Sequence, residues 1–236
     1  MMDLGDIREG YVDEEELIAA AVETEKLSHV DLYGIGTNLT CFSFIQADEE
    51  KMERLAEMRK KVENAAGHTL EIVSGGNSAA LDLMMRGGIC EGVDNFRLGE
   101  SLLFGKERSR YTFLPGTRND GFILECEVVE AKVKPSLPWG TAGVDSYGRK
   151  PVFTNRGEKR KKVICAIGRQ DFDAETATPV DEGILILGAS SDHLMLDVTD
   201  SVKEYKVGDI MELRLGYFSV LRAFTSPYVE KIFLKK

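Results

Sequence analysis

The sequence predicts an α/β region that is followed by an all-β region. Up to about residue 118, short apolar runs that stop at glycine alternate with segments of helical periodicity. Strands that alternate with helices indicate a parallel sheet or a barrel. Beyond residue 118 the helical periodicity is missing, and strand-like runs are separated by Gly, Asp or Pro. We therefore expect two domains, at residues 1–118 and 119–236.

Helices in the first region are predicted from capping residues and apolar spacing. Residues 13–27 combine helix formers with acids in the first turn, where the helix dipole favours them. Apolar residues recur at helical spacing over residues 48–66, and Gly67 provides a stop. Ser78 is placed to cap a third helix over residues 79–85. The strands expected between these helices are residues 1–5, 31–40, 70–73 and 96–98.

The second region is expected to consist of strands and loops. Its strand-like runs are bounded by turn residues and lie at residues 122–133, 163–167, 183–198, 210–215 and 228–234. Residues 134–150 are rich in Pro and Gly and are interpreted as a loop. The basic run GEKRKK at residues 157–162 is interpreted as the solvated edge of a hairpin.

Composition and cysteine usage limit the class of protein. The net charge is −10, whereas nucleic-acid binding needs a basic surface, so no nucleic-acid partner is predicted. No apolar run approaches the length of a membrane span, and no membrane partner is predicted. The cysteines are far apart, which predicts neither a metal site nor a disulfide framework but reduced, buried thiols in a cytoplasmic protein; they are Cys41, Cys90, Cys126 and Cys165.

Glycine and small polar residues follow two neighbouring strands of the first region, in EIVSGGNS and NFRLGESLLFG. Glycine lets the backbone approach a ligand, and a following helix presents free N–H groups. In (β/α) barrels, the loops after the last two strands commonly bind a phosphate together. Ser78 and the backbone of Gly99 and Glu100 are therefore candidates for binding one phosphate. Tight turns chosen for packing would leave the same pattern, and that alternative stays open.

Polar side chains at the other strand ends extend this candidate site. Arg97 comes directly before the turn on an otherwise apolar strand, so its guanidinium is expected to point into the mouth of the sheet. An arginine paired with a structural carboxylate is the alternative. Together with Arg8, Asn38 and Asn77, Arg97 would make a polar mouth suited to a small anionic ligand.

Six motifs run in order through nearly the whole chain: DLGDIREG, GIGTNLTC, VSGGNSAAL, NFRLGESLLFG, CAIGRQD and LGASSDHLMLDVTD. Together they closely resemble the ornithine/alanine racemase-like family of pyridoxal-phosphate enzymes. The resemblance implies a TIM-like barrel followed by a β domain, with pyridoxal 5'-phosphate as cofactor and a homodimer as the assembly. It also implies an α-amino acid substrate, whose Cα proton is removed and returned through an external aldimine.

The resemblance assigns roles to the cofactor-binding candidates. Ser78 and the backbone of Gly99 and Glu100 correspond to the phosphate cradle, beside Asn77. Arg97 corresponds to the arginine that hydrogen-bonds the pyridine nitrogen, which favours racemisation over side reactions. Asn38 stands where alanine racemases place a histidine against the ring.

The catalytic candidates come from both regions. Arg8 is similar to an arginine near the substrate carboxylate, and Ser191 with Asp192 matches a loop that reaches into the partner's active site. Arg169 stands where alanine racemases carry a catalytic tyrosine, and arginine is a poor acid/base because it stays protonated. The base on the second face must then be another group. His193 is the candidate by its chemistry, with a satisfied surface histidine as the alternative; Cys165 and Tyr147 are weaker candidates.

The family's Schiff-base lysine lies on a strand upstream of the DLGDIREG-like strand. We therefore expect only the last four strands of the barrel in these 236 residues, and an inactive chain when it is alone. Two alternatives stay open, a non-catalytic module that binds pyridoxal phosphate or phosphate, and an inactive fragment.

Overall fold

The computed structural model describes residues 1–145 and 148–234. The chain divides into two compact units, Met1–Arg118 and Asn119–Lys236. Tyr147 lies outside the described residues. Across the described ranges, no helix is both long enough and apolar enough to cross a membrane.

Two long helices of the first unit are confirmed close to their predicted ends. Helix α1 is Glu14–Glu25, and the Asp13 carboxylate caps it by accepting from the backbone N–H of Glu15 and Glu16 at 2.9 Å each. Helix α2 is Glu49–Ala66; Asp48 caps its start, and Gly67 ends it with φ 81°. The apolar face of α2 is fully buried, as its spacing predicts; it consists of Met52, Leu55, Met58 and Val62.

The first unit contains three parallel strands, in the order β1 (Gly34–Gly36), β2 (Ile72–Asn77) and β3 (Asn95–Arg97). The strand predicted at residues 1–5 is reduced to a single bridge between Met2 and Tyr11. The Met2 N–H donates to the carbonyl of Gly36 in β1 at 2.9 Å, and the chain then turns where the Asp3 carboxylate accepts from the Gly5 N–H at 2.8 Å. The expectation of four strands is therefore wrong for this unit.

Strand β2 continues past its predicted end at Val73 and includes both glycines of the SGG run. A Cβ at Gly75 would lie 2.7 Å from Val93 Cγ1, so this glycine meets a packing requirement inside the strand. A 3-10 turn at Ser78–Ala80 leads into the short helix α3, Leu81–Met85. Helix α4, Glu100–Phe104, follows β3 in the same way.

The second unit contains a six-stranded antiparallel sheet in the order β6-β9-β4-β5-β8-β7, and the end strands β6 and β7 contact each other. The strands are β4 (Ile123–Lys134), β5 (Arg160–Cys165), β6 (Ala177–Pro179), β7 (Leu185–Ala189), β8 (Leu194–Asp197) and β9 (Ile210–Leu215). The run at residues 183–198 is a hairpin of β7 and β8, where one strand was expected.

Three further expectations for the second unit are wrong. Residues 228–234 form no strand. Helix α5, Tyr217–Thr225, was not expected, because the second region was predicted to lack helical periodicity. The basic run at residues 157–162 does not form a sheet edge, because β5 lies between β4 and β8. Arg160 is accommodated there by donating to the Asp197 carboxylate at 2.8 Å.

Candidate functional site

The loops after β2 and β3 lie side by side at the carboxyl ends of the parallel strands. Ser78 Oγ lies 3.0 Å from Ser101 Oγ and accepts from the Ser101 backbone N–H at 3.2 Å. Both serines are buried. The helix cap is Asn77, and Ser78 is already inside the turn: the Asn77 Oδ1 accepts from the Ala79 N–H at 2.8 Å. The expected cap at Ser78 is therefore wrong by one residue.

Gly99 leaves open space beside the backbone at the start of α4. A Cβ added there would meet no atom within 4 Å, so packing does not require glycine at this position. Its φ of −123° with ψ of −71° lies outside the helical and extended regions that other residues prefer, and the missing Cβ also leaves room for the close approach of a ligand. The neighbouring Glu100 carboxylate faces Arg108, with Nε and Oε2 3.6 Å apart.

Arg97 lies across the sheet towards the end of β1. Its guanidinium donates to the Ser74 hydroxyl and, at 2.8 Å, to the Thr37 carbonyl. Both acceptors are uncharged, one a hydroxyl and the other a backbone carbonyl. Within the described residues, these hydrogen bonds do not support the alternative in which Arg97 pairs with a structural carboxylate. Its charge contributes to the lowered pKa of Glu9, whose main cause is the hydrogen bond from Arg8.

Asn77 joins the loops after β1 and β2. Its amide Nδ2 lies 2.8 Å from Asn38 Oδ1, 2.9 Å from the Leu39 carbonyl and 3.2 Å from Cys41 Sγ. All polar atoms of the Asn77 side chain are thus used within the protein. These contacts support the Asn38 side chain, and the contact of Asn77 with the cofactor stays a prediction.

Two buried polar atoms beside Asn77 have no hydrogen-bond partner within the part of the chain that the structure describes. They are Thr37 Oγ1 and Asn38 Nδ2, on residues that are 0% and 7% exposed. An unsatisfied buried group costs about 1–3 kcal/mol, so such atoms in a native fold need an explanation. A ligand with hydrogen-bonding groups at these strand ends supplies one.

Arg8 is already engaged by its neighbour Glu9. Arg8 Nη2 donates to Glu9 Oε1 at 2.7 Å, and both side chains are more than a third exposed. This hydrogen bond is the main cause of the raised pKa of Arg8. A substrate carboxylate at Arg8 would have to compete with Glu9.

Asp6 was missed by the sequence analysis, although it fixes the mouth of the site. The carboxylate is 1% exposed and accepts from the backbone N–H of Phe42 at 3.1 Å and of Ser43 at 3.0 Å. It thereby ties the DLGDIREG loop to the loop after β1. Strained backbone marks the same two loops, with φ 49° at Ile7 and φ 70° at Thr40. In the sequence, only the DLGDIREG motif draws attention to Asp6, because its contact with Phe42 spans 36 residues.

Glu107 organises the loop after α4. Its buried carboxylate accepts from the backbone N–H groups of Ser109, Arg110 and Thr112. Burial by itself raises the pKa of Glu107, but hydrogen bonds from the Ser109 hydroxyl first, and then from the Thr112 and Arg110 backbone N–H groups, outweigh it and lower the pKa to about 2. The same loop reaches the site, since the Arg108 N–H donates to the Ser78 carbonyl at 3.4 Å.

Glu107→Gln is expected to destabilise the first unit by on the order of 3 kcal/mol at neutral pH, because the charged acceptor is lost. Since the folded pKa is below its ordinary value of 4.5, this stability is present above 4.5 and is lost as the pH falls towards 2. Urea unfolding should therefore show the gap between wild type and variant closing in acid. Glu57→Gln, at an exposed position on α2, is the control; an equal gap at every pH would contradict the assignment.

In the second unit, the turn between β7 and β8 holds Asp192 and His193. Both are exposed; His193 Nδ1 lies 3.1 Å from Asp192 Oδ1. Hydrogen bonds from Ser191 first, and then from His193, lower the pKa of Asp192. The turn is held by the IGRQD loop, because Arg169 donates from its backbone N–H to the Ser190 carbonyl at 2.8 Å.

The catalytic candidates are divided between the two units. Arg8 belongs to Met1–Arg118, whereas Asp192 and His193 belong to Asn119–Lys236. Cys165 is fully buried in β5, which removes it as an acid/base candidate. The cofactor candidates, in contrast, all lie in the first unit, at the carboxyl ends of its strands; they are Asn38, Asn77, Ser78, Arg97, Gly99 and Glu100.

Parallel strands with glycine-bearing loops and unpaired buried polar atoms at one edge are typical of an α/β protein with a site for a small anion or cofactor. Residues 1–107 match the family described as "Alanine racemase, N-terminal domain". Ornithine racemase of Acetoanaerobium sticklandii is 46% identical over 231 residues, and lysine racemase of Thermotoga maritima is 42% identical over 233 residues. These matches support the alanine/ornithine racemase-like family, whose members depend on pyridoxal phosphate.

The matches cover 98% and 99% of this chain but only 65% and 64% of the two relatives. The fold is also similar to a solved alanine racemase from Bartonella henselae that carries covalently bound pyridoxal phosphate. That similarity has a TM-score of 0.53 at 18% identity and covers 90% of this chain and 56% of the other. At this identity it concerns the fold alone.

Proposed function

We propose that this chain forms part of a pyridoxal-phosphate-dependent amino-acid racemase. The observation that carries the proposal is the pair of unpartnered buried atoms, Thr37 Oγ1 and Asn38 Nδ2, beside the paired loops of Ser78 and Ser101. The names of the two relatives support an α-amino acid substrate with a cationic side chain, such as ornithine or lysine. Alanine is the alternative within the same family.

The residues present fit the cofactor in three places. Ser78 and the backbone around Gly99 and Glu100 would hold the phosphate, where the open space beside Gly99 admits it. Asn38 Nδ2 would donate to the hydroxyl oxygen that the cofactor's pyridine ring carries. Arg97, held in place by Ser74 and Thr37, would face the ring nitrogen and, being always charged, keep it unprotonated.

The cofactor, when bound, withdraws electron density from the substrate Cα–H bond. Arg8 would bind the substrate carboxylate after exchanging partners with Glu9. On the second face, His193 is proposed to move the proton, because a neutral imidazole has both a proton donor and an acceptor, whereas Arg169 stays protonated and cannot serve as a base. Asp192 would orient the His193 ring through the contact at Nδ1.

The same proposal includes a homodimer in the cytoplasm, in which the turn of Ser191 and Asp192 completes the partner's site. It also includes a fold of the whole protein in which β1–β3 belong to a TIM-like barrel and residues 119–236 form the β domain. Family resemblance supports both parts.

A non-catalytic module that binds pyridoxal phosphate is the second candidate. One observation favours it: the parallel strands end at Gly36, Asn77 and Arg97, and none of them ends in lysine. The two candidates predict the same cofactor site and differ in whether a Schiff base forms.

Gly99→Asp tests the shared cofactor site. We expect it to weaken binding of pyridoxine 5'-phosphate by about tenfold or more, because a carboxylate placed against the phosphate repels it. Pyridoxine 5'-phosphate has no aldehyde and therefore forms no Schiff bases with surface lysines, so equilibrium dialysis reports the site itself. Gly143→Asp is the matched control, since a Cβ at Gly143 also meets nothing within 4 Å. Equal affinities of the two variants would contradict the phosphate assignment.

A further inference from the structure

The second unit contains a cavity of about 390 Å³ beside its end strands β6 and β7. The two strands contact each other, but within the described residues no backbone pairing joins them, so an open seam remains between them. Ligand pockets have volumes of roughly 300–1,000 Å³, and this cavity is therefore large enough for a small molecule. The cofactor candidates lie in the other unit, Met1–Arg118.

The wall that β7 contributes to the cavity is apolar and is shaped by a bulge. The register of β7 against β8 shifts between Ile186 and Gly188, and Gly188 has a φ of 148°. Bulges occur often beside binding sites, where they change the direction of side chains. The cavity therefore favours an aliphatic group against this wall; the apolar lining includes Pro179, Ile184, Leu185 and Ile186.

Arg169 supplies a positive charge to the cavity. Its backbone N–H donates to the Ser190 carbonyl and its Nε to the Ala189 carbonyl, each at 2.8 Å, so the half-buried side chain is fixed against the end of β7. Among the described residues, Nη1 and Nη2 have no acceptor. A guanidinium that is held in place and keeps two nitrogens free is suited to bind a carboxylate through paired hydrogen bonds.

Glu175 supplies a negative charge to the same cavity. It is exposed and lies in the 3-10 turn Ala174–Thr176, which is fixed because the Ser219 N–H donates to Thr176 Oγ1 at 3.0 Å. In the part of the chain that the structure describes, Glu175 and Arg169 form no ion pair with each other or with another side chain. Opposite charges that share a cavity without pairing are complementary to a ligand that carries both charges.

We propose that this cavity binds a free α-amino acid with an aliphatic side chain of about the size of leucine. The α-carboxylate binds to Nη1 and Nη2 of Arg169, the α-ammonium group faces Glu175, and the side chain packs against the apolar wall of β7. A cationic side chain is disfavoured there, because its charge would be buried against apolar residues. The ligand class therefore differs from the cationic substrates that the relatives' names suggest, and the site does not depend on the proposed function.

Isothermal titration calorimetry on the full chain tests the site with three ligands of similar size. L-Leucine carries both charges, leucinamide lacks the carboxylate, and 4-methylpentanoate lacks the ammonium group. We expect leucine to bind about tenfold more tightly than either of the others, because each of the other two loses one charged hydrogen-bonding partner.

Two variants that each remove one charge locate the two contacts. Arg169→Gln should abolish the preference for leucine over leucinamide and keep the preference for leucine over 4-methylpentanoate, whereas Glu175→Gln should do the reverse. Arg156→Gln and Glu158→Gln, at exposed positions outside the cavity, are the matched controls and should keep both preferences. Each preference is a ratio of two affinities of one variant, so partial unfolding of that variant does not change it.

Four results would overturn the inference. Leucine could show no saturable binding up to about 10 mM, which is weaker than a specific site should be. Equal affinities of the three ligands would show that the charges play no part. Preferences that survive both cavity variants would place the leucine site elsewhere in the chain. Loss of leucine binding in Gly99→Asp would mean that leucine occupies the proposed racemase site; unchanged binding in that variant is the expected result.

Discussion

The isolated 236-residue chain is expected to racemise ornithine and lysine at least about 10²-fold more slowly than the same chain complemented by the family's lysine-bearing strand. That factor is the low end of what a positioned acid/base group supplies. The reason is the absence of lysine at the ends of β1, β2 and β3. The measurement is polarimetry on the chain alone and on the chain co-expressed with the part of ornithine racemase that it does not cover.

The matched control is the same complement with its Schiff-base lysine changed to alanine, which should bind this chain without restoring turnover. Borohydride reduction in the presence of pyridoxal phosphate should trap the cofactor on the complement and not at a strand end of this chain. Robust turnover by the isolated chain would show that another of its lysines serves, and that the residue assignments derived from the resemblance are misplaced.

Arg97→Ala in the complemented enzyme is expected to lower kcat by on the order of 10²-fold, because a preorganised donor to the reacting system is lost. Affinity for the cofactor should fall much less, since the phosphate loops supply most of the anchoring. Arg97→Lys is the informative companion: it keeps the charge but cannot reach both Ser74 and the Thr37 carbonyl with a planar fork.

Thermal unfolding of both variants separates catalysis from structure, because Arg97 also links the ends of β1 and β3. Equal losses in kcat and in cofactor affinity would remove the role at the ring nitrogen. A large drop in stability with unchanged kcat per folded molecule would leave Arg97 with a structural role alone.

Elements with strong local signals could be predicted from the sequence. Helices α1 and α2 begin at Asp13 and Asp48 because those carboxylates satisfy free N–H groups within three residues. The strand predicted at residues 1–5 is cut short by a turn at which the Asp3 carboxylate accepts from the Gly5 N–H, and apolar content does not reveal such a contact. In β5, which lies inside the sheet, Arg160 pairs with Asp197, a partner 37 residues away that the local sequence does not reveal.

In the candidate site, too, the positions of residues could be predicted from the sequence, whereas their long-range contacts could not. The strand-end positions of Asn38, Asn77 and Arg97 follow from the alternation of strands and helices. Contacts between loops were not readable, because Ser101 with Ser78 and Asp6 with Phe42 pair across 23 and 36 residues. The contacts of Asn77 with Asn38 and the Leu39 carbonyl are of the same kind and therefore needed the structure.

The contacts of Asn77 also bear on how the protein ages. Asn77 is followed by serine, and asparagine in such a context deamidates when the next backbone nitrogen attacks the side-chain carbonyl carbon. Here Oδ1 is bound by Ala79 and Nδ2 by acceptors from the loop after β1, so the amide is held against that attack. If conversion to aspartate did occur, a new carboxylate would face Asn38 Oδ1 and the Leu39 carbonyl, and the two loops would repel each other. Deamidation of Asn77 during storage would thus change the conformation of the two loops at the strand ends.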